Sequence, residues 1–298
     1  MTVRRRFILQ TGTSFLMTTG VQGCLQTSQN PLQGQPTLKI SQALTHQIQR
    51  RGYLQVATED NYAPFEFLLN GKPAGFNHAL FARLQQLVPF KIQQSIVPWQ
   101  GILPGVNYGK YDVALTAVGI TDERARFLDF TIPIAESTIA YIKRKGDSSI
   151  QSLRSLSGKT LGVQQGGISA AAVPDLSAEL EKQGGKIGQV KEYRGFTEAY
   201  QDLVNQKLDA VLHNIVSLSL LVDEKPAIFE MGERVGRKSY AAWAVKKGDR
   251  ELLDFLNQFL QQQQQQGELK KLQQDWFKMT FENLPTVPLL PGDRPISS

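Results

Sequence analysis

The sequence predicts an α/β protein made of two successive units in which strands and helices alternate. The first observation is the order strand, helix, strand, helix, strand over residues 53–117. The second is that the same order returns over residues 160–213. The third is the length of 298 residues, which suits two domains of moderate size. Such alternation is typical of parallel sheets covered by helices.

In the first unit, apolar spacing predicts a helix over 40–51, which Gly52 ends, and a buried strand over 53–57. A hairpin is expected over 65–76 with its turn at Asn70-Gly71, because this dipeptide favours tight hairpin turns. Asn77 is expected to cap the next helix. The remaining elements predicted here are a strand at 91–97, a helix at 101–107 and a strand at 112–117.

The second unit predicts strands at 160–164, 187–193 and 209–213, with helices from 169 and over 197–205. A strand at 240–245 and two helices follow. Six glutamines at 261–266 continue the apolar stripe of the first of these helices, so they are read as its polar end. Residues 281–298 are rich in proline and predict an irregular tail.

Composition excludes several classes of function. The chain has 33 basic and 27 acidic residues, and three of the basic residues are arginines at positions 4–6. Without a dense basic face, no nucleic-acid partner is expected. His46, His78 and His213 lack metal-ligand spacing, so they are read as surface or cap residues. No metal and no cofactor are expected.

Residues 1–24 combine a positive start with a short apolar stretch, which is typical of an export signal. The run Arg4-Arg5-Arg6 resembles the twin-arginine export pattern. The segment ends at Cys24, the one cysteine of the chain, in a context that resembles a lipoprotein processing site, although Gln22 departs from it. We therefore expect lipidation of Cys24, with a plain signal peptide as the alternative, and a flexible tether at 25–39.

The most informative stretch is 112–133. A buried strand ends near Ala117, and Gly119, Thr121 and Arg124 follow it. Ligands of α/β proteins bind at the carboxyl ends of strands. A glycine leaves backbone groups accessible there, a threonine supplies a hydroxyl, and an arginine grips a carboxylate with two parallel hydrogen bonds. From these residues alone, Arg124 is equally well a surface residue.

This stretch resembles the signature of the bacterial family-3 extracellular solute-binding proteins, the polar amino-acid binders of ABC importers. The similarity covers about residues 50–280 in collinear order. The segments that carry it are Tyr62-Ala63-Pro64-Phe65-Glu66-Phe67, Gly75-Phe76-Asn77, Trp99-Gln100-Gly101, Thr121-Asp122-Glu123-Arg124, Asp129-Phe130-Thr131-Ile132-Pro133, Gly162-Val163-Gln164-Gln165-Gly166 and Leu208-Asp209-Ala210-Val211-Leu212.

The resemblance implies a two-lobed fold like that of type II periplasmic binding proteins, with hinged lobes and a central cleft. Lobe 1 would comprise 40–135 and 240–280, and lobe 2 would comprise 136–239. It implies a periplasmic monomer that closes on a small carboxylate ligand, such as an amino acid or a derivative, and delivers it to a membrane permease.

The resemblance also implies roles for particular residues. Arg124 would bind the α-carboxylate of the ligand, and Ala117 and Gly119 would contact the ligand through backbone groups. Tyr62 and Trp99 would enclose its body. In lobe 2, Gly167 and Ser169 would close over the carboxylate.

The sequence departs from the family pattern at several of these positions. Asn214 stands where the family has an aspartate that pairs with the α-ammonium group. Either another acid, Glu59 or Asp60, takes this role, or the ligand lacks an α-ammonium group. Gly119 and Gly167 stand where hydroxyl side chains are usual.

Two other classes of function remain open. An enzyme on this fold, similar to cyclohexadienyl or arogenate dehydratases, would need a general acid near the leaving hydroxyl. Glu59 and Asp60 are candidates, and no sequence feature selects either. A receptor sensor module would need a membrane-spanning or signalling segment after the cleft, and the sequence predicts none. The binding protein is the preferred reading, and no catalytic activity is expected.

Overall fold

The structure is a computed structural model that describes residues 38–289. The predicted signal peptide, Cys24 and most of the predicted tether lie outside the described residues, as does the end of the predicted tail. Within the described part, no helix is long and apolar enough to cross a membrane. The described residues also hold no group of three or more metal-ligating side chains.

Helices and strands alternate through most of the described chain. The helices are α1 (Gln42–Arg51), α2 (Phe76–Leu87), α3 (Ile102–Asn107), α4 (Ile168–Ala171), α5 (Val173–Lys182), α6 (Phe196–Val204), α7 (Ile215–Glu224), α8 (Arg250–Gln265) and α9 (Glu268–Phe277). The strands are β1 (Leu54–Thr58), β2 (Asn61–Tyr62), β3 (Glu66–Leu69), β4 (Lys72–Ala74), β5 (Ile92–Ile96), β6 (Val113–Gly119), β7 (Leu128–Phe130), β8 (Ala135–Glu136), β9 (Ile139–Arg144), β10 (Thr160–Gln164), β11 (Gln189–Tyr193), β12 (Ala210–Asn214), β13 (Phe229–Val235) and β14 (Tyr240–Lys246).

The first sheet has the order β5-β1-β6-β14-β7, and β8 also pairs with β14. Strands β5, β1 and β6 are parallel, whereas β14 runs antiparallel to β6. Every residue of β1 and β6 is buried, because helices cover the sheet. Helices α8 and α9 pack against this unit, α9 beside α2. We call this unit lobe 1.

The second sheet repeats the same arrangement with the order β11-β10-β12-β9-β13. Strands β11, β10 and β12 are parallel, and β9 runs antiparallel to β12. Helices α4 to α7 follow its strands, and we call this unit lobe 2. The predicted α/β class is therefore confirmed.

Two short segments connect the lobes, one between β8 and β9 and the other between β13 and β14. They are hydrogen-bonded to each other, because the Ser137 amide donates to the Ser239 carbonyl at 2.8 Å. The Ser239 hydroxyl donates back to the Ser137 carbonyl at 2.8 Å. This paired crossing leaves the strand ends of the two sheets facing each other.

Several local predictions are confirmed. The hairpin turns at Asn70 and Gly71, which have φ of 53° and 76° and so adopt the left-handed region that such a turn requires. The glutamines at 261–265 continue α8, and Gln262 and Gln263 are buried.

Candidate functional site

The strand ends of both lobes enclose a small cavity, which we call the inner cavity. Its volume is about 10 Å³. Lobe 1 contributes the ends of β2 and β6, and lobe 2 contributes residues that follow β10 and β11. Its lining consists of Tyr62, Trp99, Ala117, Gly119, Arg124, Gln164, Ile168 and Phe196.

Arg124 is buried at this cavity. Its Nη1 donates to the Gly119 carbonyl at 2.8 Å, and its Nη2 donates across the cleft to the Gly166 carbonyl at 2.9 Å. The guanidinium carbon lies 5.1 Å from the centre of the Trp99 ring. Burial lowers the pKa of Arg124 to about 10, so the group stays charged at neutral pH. No carboxylate among the described residues hydrogen-bonds it, although the negative charge of Glu123 lies close enough to interact with it.

Thr121, three residues before Arg124, holds the backbone of this arginine in place. Its hydroxyl accepts a hydrogen bond from the Arg124 amide at 3.1 Å, which fixes the short 3₁₀ turn Arg124–Arg126 that carries the guanidinium. Thr121 lies outside the inner cavity lining and borders a second cavity instead.

Glu59 forms the acidic end of the site, directly after β1. Its Oε1 accepts a hydrogen bond of 2.9 Å from Gln164 of lobe 2, whereas its Oε2 is buried without a hydrogen-bond partner among the described residues. Burial raises the pKa of Glu59 to about 8. The Glu59 carboxyl is therefore mostly neutral at pH 7, and a nearby cation would favour its ionised form.

A second buried acid, Glu66, lies close enough to Glu59 for the two charges to interact. Burial, and then the charge of Glu59, raise the pKa of Glu66. Glu66 accepts a hydrogen bond from the Asn77 amide group, and the Asn77 carbonyl oxygen accepts one from Trp243 Nε1 at 2.8 Å. The expectation that Asn77 caps α2 is wrong, because Gly75 precedes that helix and the Asn77 side chain lies in the core.

Aromatic rings close the opposite side of the site. Phe196 of lobe 2 faces Tyr62 of lobe 1, with ring centres 6.5 Å apart and an angle of 19° between the planes. Trp99, which the family resemblance paired with Tyr62 as a ring that encloses the ligand, packs on the guanidinium of Arg124. The ring of His213 lies 3.4 Å from that of Phe196 and completes the cluster.

His213 is neither a surface nor a cap residue, which corrects the expectation from sequence. It is buried in β12, and its Nδ1 is hydrogen-bonded to the Tyr200 hydroxyl at 2.6 Å. Burial holds the pKa of His213 well below its usual range, so the ring is neutral at pH 7.

Asn214 links the lobes and starts a helix. Its carbonyl oxygen accepts from the Ser217 amide at 2.9 Å, which caps α7, and its amide group donates to the Tyr62 hydroxyl at 3.0 Å. Both functions are structural, and neither brings a negative charge to the site.

The Gly119 and Ile168 positions fit one another across the cleft. A Cβ atom on Gly119 would lie 2.8 Å from the end of the Ile168 side chain, a distance that packed atoms do not adopt. The absence of a side chain at Gly119 therefore lets Ile168 close against β6. This contact reduces the inner cavity to the size of about one water molecule.

The predicted site residues divide into groups. Those that line the inner cavity are Arg124, Gly119, Ala117, Tyr62 and Trp99. Glu59 and Asn214 are hydrogen-bonded to lining residues. Gly167 borders the second cavity, and the Ser169 hydroxyl is buried where it accepts from the Gln164 amide.

Sequence reasoning missed three lining residues, all in lobe 2: Gln164, Ile168 and Phe196. Gln164 ends β10, Ile168 starts α4 and Phe196 starts α6, and all three lie on the face of lobe 2 that packs on lobe 1. Their position relative to Arg124 depends on how the lobes meet, and the sequence pattern within one lobe does not encode this.

The second cavity, the outer cavity, lies between the lobes beside the crossing segments and has a volume of about 850 Å³. Residues of α3 and the Arg124 turn form its lobe 1 side, and residues of α4, the start of α5 and the end of β13 form its lobe 2 side.

Two hinged lobes whose strand ends converge on a buried guanidinium define a two-lobed binding protein of the α/β class. A model of the bacterial extracellular solute-binding proteins, family 3, matches residues 54–279, and the chain belongs to this family.

Individual relatives agree with this assignment. The L-cystine-binding protein TcyJ of Escherichia coli is 28% identical over 239 residues, which are 79% of this chain and 86% of that protein. The solved structure of an ancestral arginine-binding protein bound to arginine matches with a TM-score of 0.67 and 33% identity, covering 76% of this chain and 99% of that one. An ancestral amino acid-binding protein, AncCDT-1, a precursor of cyclohexadienyl dehydratase, matches with a TM-score of 0.67 and 28% identity over 78% and 98% of the two chains. The predicted family and type II binding fold are confirmed.

Proposed function

We propose that this protein is the substrate-binding component of an ABC importer and that it closes on a small carboxylate ligand, an amino acid or a derivative. The observation that carries the proposal is the buried guanidinium of Arg124, which bridges the lobes and, within residues 38–289, has only carbonyl oxygens as hydrogen-bond acceptors. Membership of the solute-binding family supports the same role.

A carboxylate is the ligand group that Arg124 fits best. Two carbonyl dipoles compensate a buried positive charge less completely than an anion does. A carboxylate accepts two parallel hydrogen bonds from a guanidinium, and these charge-assisted bonds are shorter and stronger than bonds to neutral acceptors. The ligand would therefore replace a carbonyl contact of Arg124 with a full negative charge.

Glu59 is the group best placed to receive a positive charge on the ligand. Its free Oε2 is buried, and no lysine or arginine pairs with it among the described residues. A ligand cation would shift the Glu59 carboxyl from its neutral to its ionised form. Relatives named for arginine and cystine, both of which carry ammonium or guanidinium groups, support a ligand with a cationic part.

Closure would couple the two lobes to the ligand. The hydrogen bonds Arg124–Gly166, Gln164–Glu59 and Asn214–Tyr62 each join lobe 1 to lobe 2, and each involves a residue of the site. A ligand that contacts both sides therefore shifts the population toward the closed form. We propose that a membrane permease recognises this form of a monomeric binding protein.

We further propose that the protein is exported to the periplasm by the twin-arginine route. A lipid on Cys24 would then anchor it to the membrane. The support is the charged and apolar pattern of residues 1–24 and the single cysteine at its end. The name of the family, extracellular solute-binding proteins, agrees with export.

A dehydratase is the second candidate, and one observation favours it. Glu59 is a largely neutral acid at pH 7, as a general acid must be, and one structural neighbour is a precursor of a dehydratase. We propose that the protein is not an enzyme, since that neighbour is itself an amino acid-binding protein. Incubation with arogenate or prephenate should give no aromatic product.

Thermal-shift screening against amino acids, their derivatives and dicarboxylates tests the proposed function. We expect a carboxylate to raise the melting temperature of the wild type and of Arg126→Ala, an exposed neighbour on the same turn, and to leave Arg124→Ala unshifted. An equal shift in Arg124→Ala would show that this residue does not hold the ligand.

A further inference from the structure

The outer cavity is far larger than the inner one and shares a wall with it. Three residues, Trp99, Arg124 and Ile168, line both cavities. These three residues thus form the common boundary of a space of about 10 Å³ and a space of about 850 Å³, and Arg124 is the charged one among them. A group that reaches the guanidinium therefore has room to continue on the outer side.

The inner cavity is restricted by the pairing of Gly119 with Ile168. Because Ile168 packs where a side chain on Gly119 would otherwise lie, a ligand cannot extend along β6 without moving it. The outer cavity has no such obstruction, since small residues, Gly167, Ala170 and Ala171, form its lobe 2 side next to Ile168.

The outer cavity has an apolar floor and a charged rim. Buried apolar side chains of both lobes form the floor, among them Leu103, Ile120, Ile139 and Val235. The rim carries charges of both signs, with exposed acids at Asp122, Glu123, Asp175 and Glu192, an exposed base at Arg237 and a half-buried base at Lys238. Such a lining suits a group with an apolar body and polar or charged ends of either sign.

We propose that the ligand is longer than one amino acid: its carboxylate or carbonyl group lies at Arg124, one part occupies the inner site after displacement of Ile168 has enlarged it, and a second, amino-acid-sized part occupies the outer cavity. Dipeptides and other amino-acid conjugates are the chemical class that this arrangement fits. The inference rests on the proposed function and names its substrate class.

Isothermal titration calorimetry with the wild-type protein tests this inference. The probes are L-arginine, L-histidine and L-leucine, and the dipeptides that each forms with alanine in both orders. We expect at least one dipeptide to bind about tenfold more tightly than the free amino acid it contains, because only the dipeptide fills the outer cavity.

The variant Ala171→Trp places a large ring in the outer cavity from an exposed position of α4 that does not touch the inner one. It should weaken the dipeptide about tenfold and leave the free amino acid within about twofold. The matched variant Ala171→Ser should leave both unchanged. Unaltered melting temperatures would show that each variant is folded.

The outcomes separate this inference from the proposed function. If free amino acids bind through Arg124 while every dipeptide binds more weakly than its amino acid, the proposed function stands and the extended ligand is wrong. If Ala171→Trp weakens the amino acid and the dipeptide equally, the outer cavity is not a separate subsite. If none of the probes and none of the screened carboxylates binds, both proposals fail.

Discussion

The two lobes contribute different chemistry to the same cleft. Lobe 1 supplies the ionisable groups, Arg124, Glu59 and Glu66, all buried. Lobe 2 contributes neutral groups to the cleft, such as Gln164 and Ile168. Lobe 1 therefore interacts with the charge of the ligand, whereas lobe 2 interacts with its shape.

This asymmetry follows from energetics. If the lobes separate, a charge at the cleft face of lobe 1, such as Arg124, would be exposed to water and would lose that hydration only when lobe 2 covers it again. Closure is then favourable if the ligand compensates that charge, and unfavourable if it does not. Changes in lobe 1 should alter affinity through charge, whereas changes in lobe 2 should alter it through closure.

The largest effect is expected at the charged centre of lobe 1. Arg124→Ala should weaken a carboxylate ligand about a hundredfold or more, since it removes a buried charge-assisted pair. Calorimetric titration measures this loss. Arg126→Ala, the control on the same turn, should retain the affinity of the wild type, and a similar loss in both variants would contradict a specific role for Arg124.

The second effect is a pH dependence of stability at Glu59. An unfolded Glu59 carboxyl ionises near its ordinary value of 4.5, whereas the folded one ionises near 8. Between these values the folded protein binds more protons than the unfolded chain, so stability without ligand falls as pH rises, by at most about 1.4 kcal/mol per pH unit for this group.

Chemical denaturation between pH 6.5 and 8 measures this slope. Subtracting the slope of Glu59→Gln from that of the wild type cancels the contribution of His213, which is neutral when folded but binds protons near its ordinary value of 6.5 when unfolded. Glu59→Gln should reduce the decline, although Glu66, whose pKa is also raised, should leave part of it. Glu251→Gln, at an exposed position of α8, should keep the slope of the wild type. An unchanged slope in Glu59→Gln would contradict the burial of a neutral acid.

A smaller effect is expected where lobe 2 packs on lobe 1. Gly119→Ala adds a methyl group against Ile168 and should hinder closure, weakening the ligand about tenfold. The double variant Gly119→Ala with Ile168→Gly should recover most of the affinity, because it removes every side-chain atom of residue 168 in the clash, including the Cβ atom at 2.9 Å. Failure of this rescue would show that Gly119 acts through its backbone rather than through the fit of the lobes.

The smallest effect tests whether lobe 2 can be given a charge. Asn214→Asp keeps a side chain that caps α7 and adds a negative charge beside Tyr62. We compare the affinity for an α-amino acid with the affinity for the same acid without its amino group. Asn214→Asp should raise the ratio of these two affinities about fivefold. Asn214→Ser, which also caps the helix, should not change this ratio, and an equal change for both ligands would argue against an α-ammonium group near residue 214.

The difference between the lobes also explains what could be predicted from the sequence. Arg124, Tyr62 and Gly119 lie at or just after the ends of strands within one lobe. The strand pattern marks such positions as candidates, and the family resemblance singled out these three. Phe196 and Ile168 become site residues only through contact with the other lobe, which is a long-range property.

Local rules failed where a polar side chain has a distant partner in the core. Asn77 stands at a position typical of a helix cap, yet it joins Glu66 to Trp243, which is 166 residues away in sequence. His213 is buried within β12, whose residues are all buried. A histidine inside an apolar run could have indicated burial, but not its stacking on Phe196.

A crystal structure of the protein with the carboxylate that gives the largest thermal shift tests the central claim most directly. The account predicts both lobes closed on the ligand, with its carboxylate oxygens about 2.7–2.9 Å from the guanidinium nitrogens of Arg124. A ligand bound elsewhere, or one whose carboxylate points away from Arg124, would contradict it.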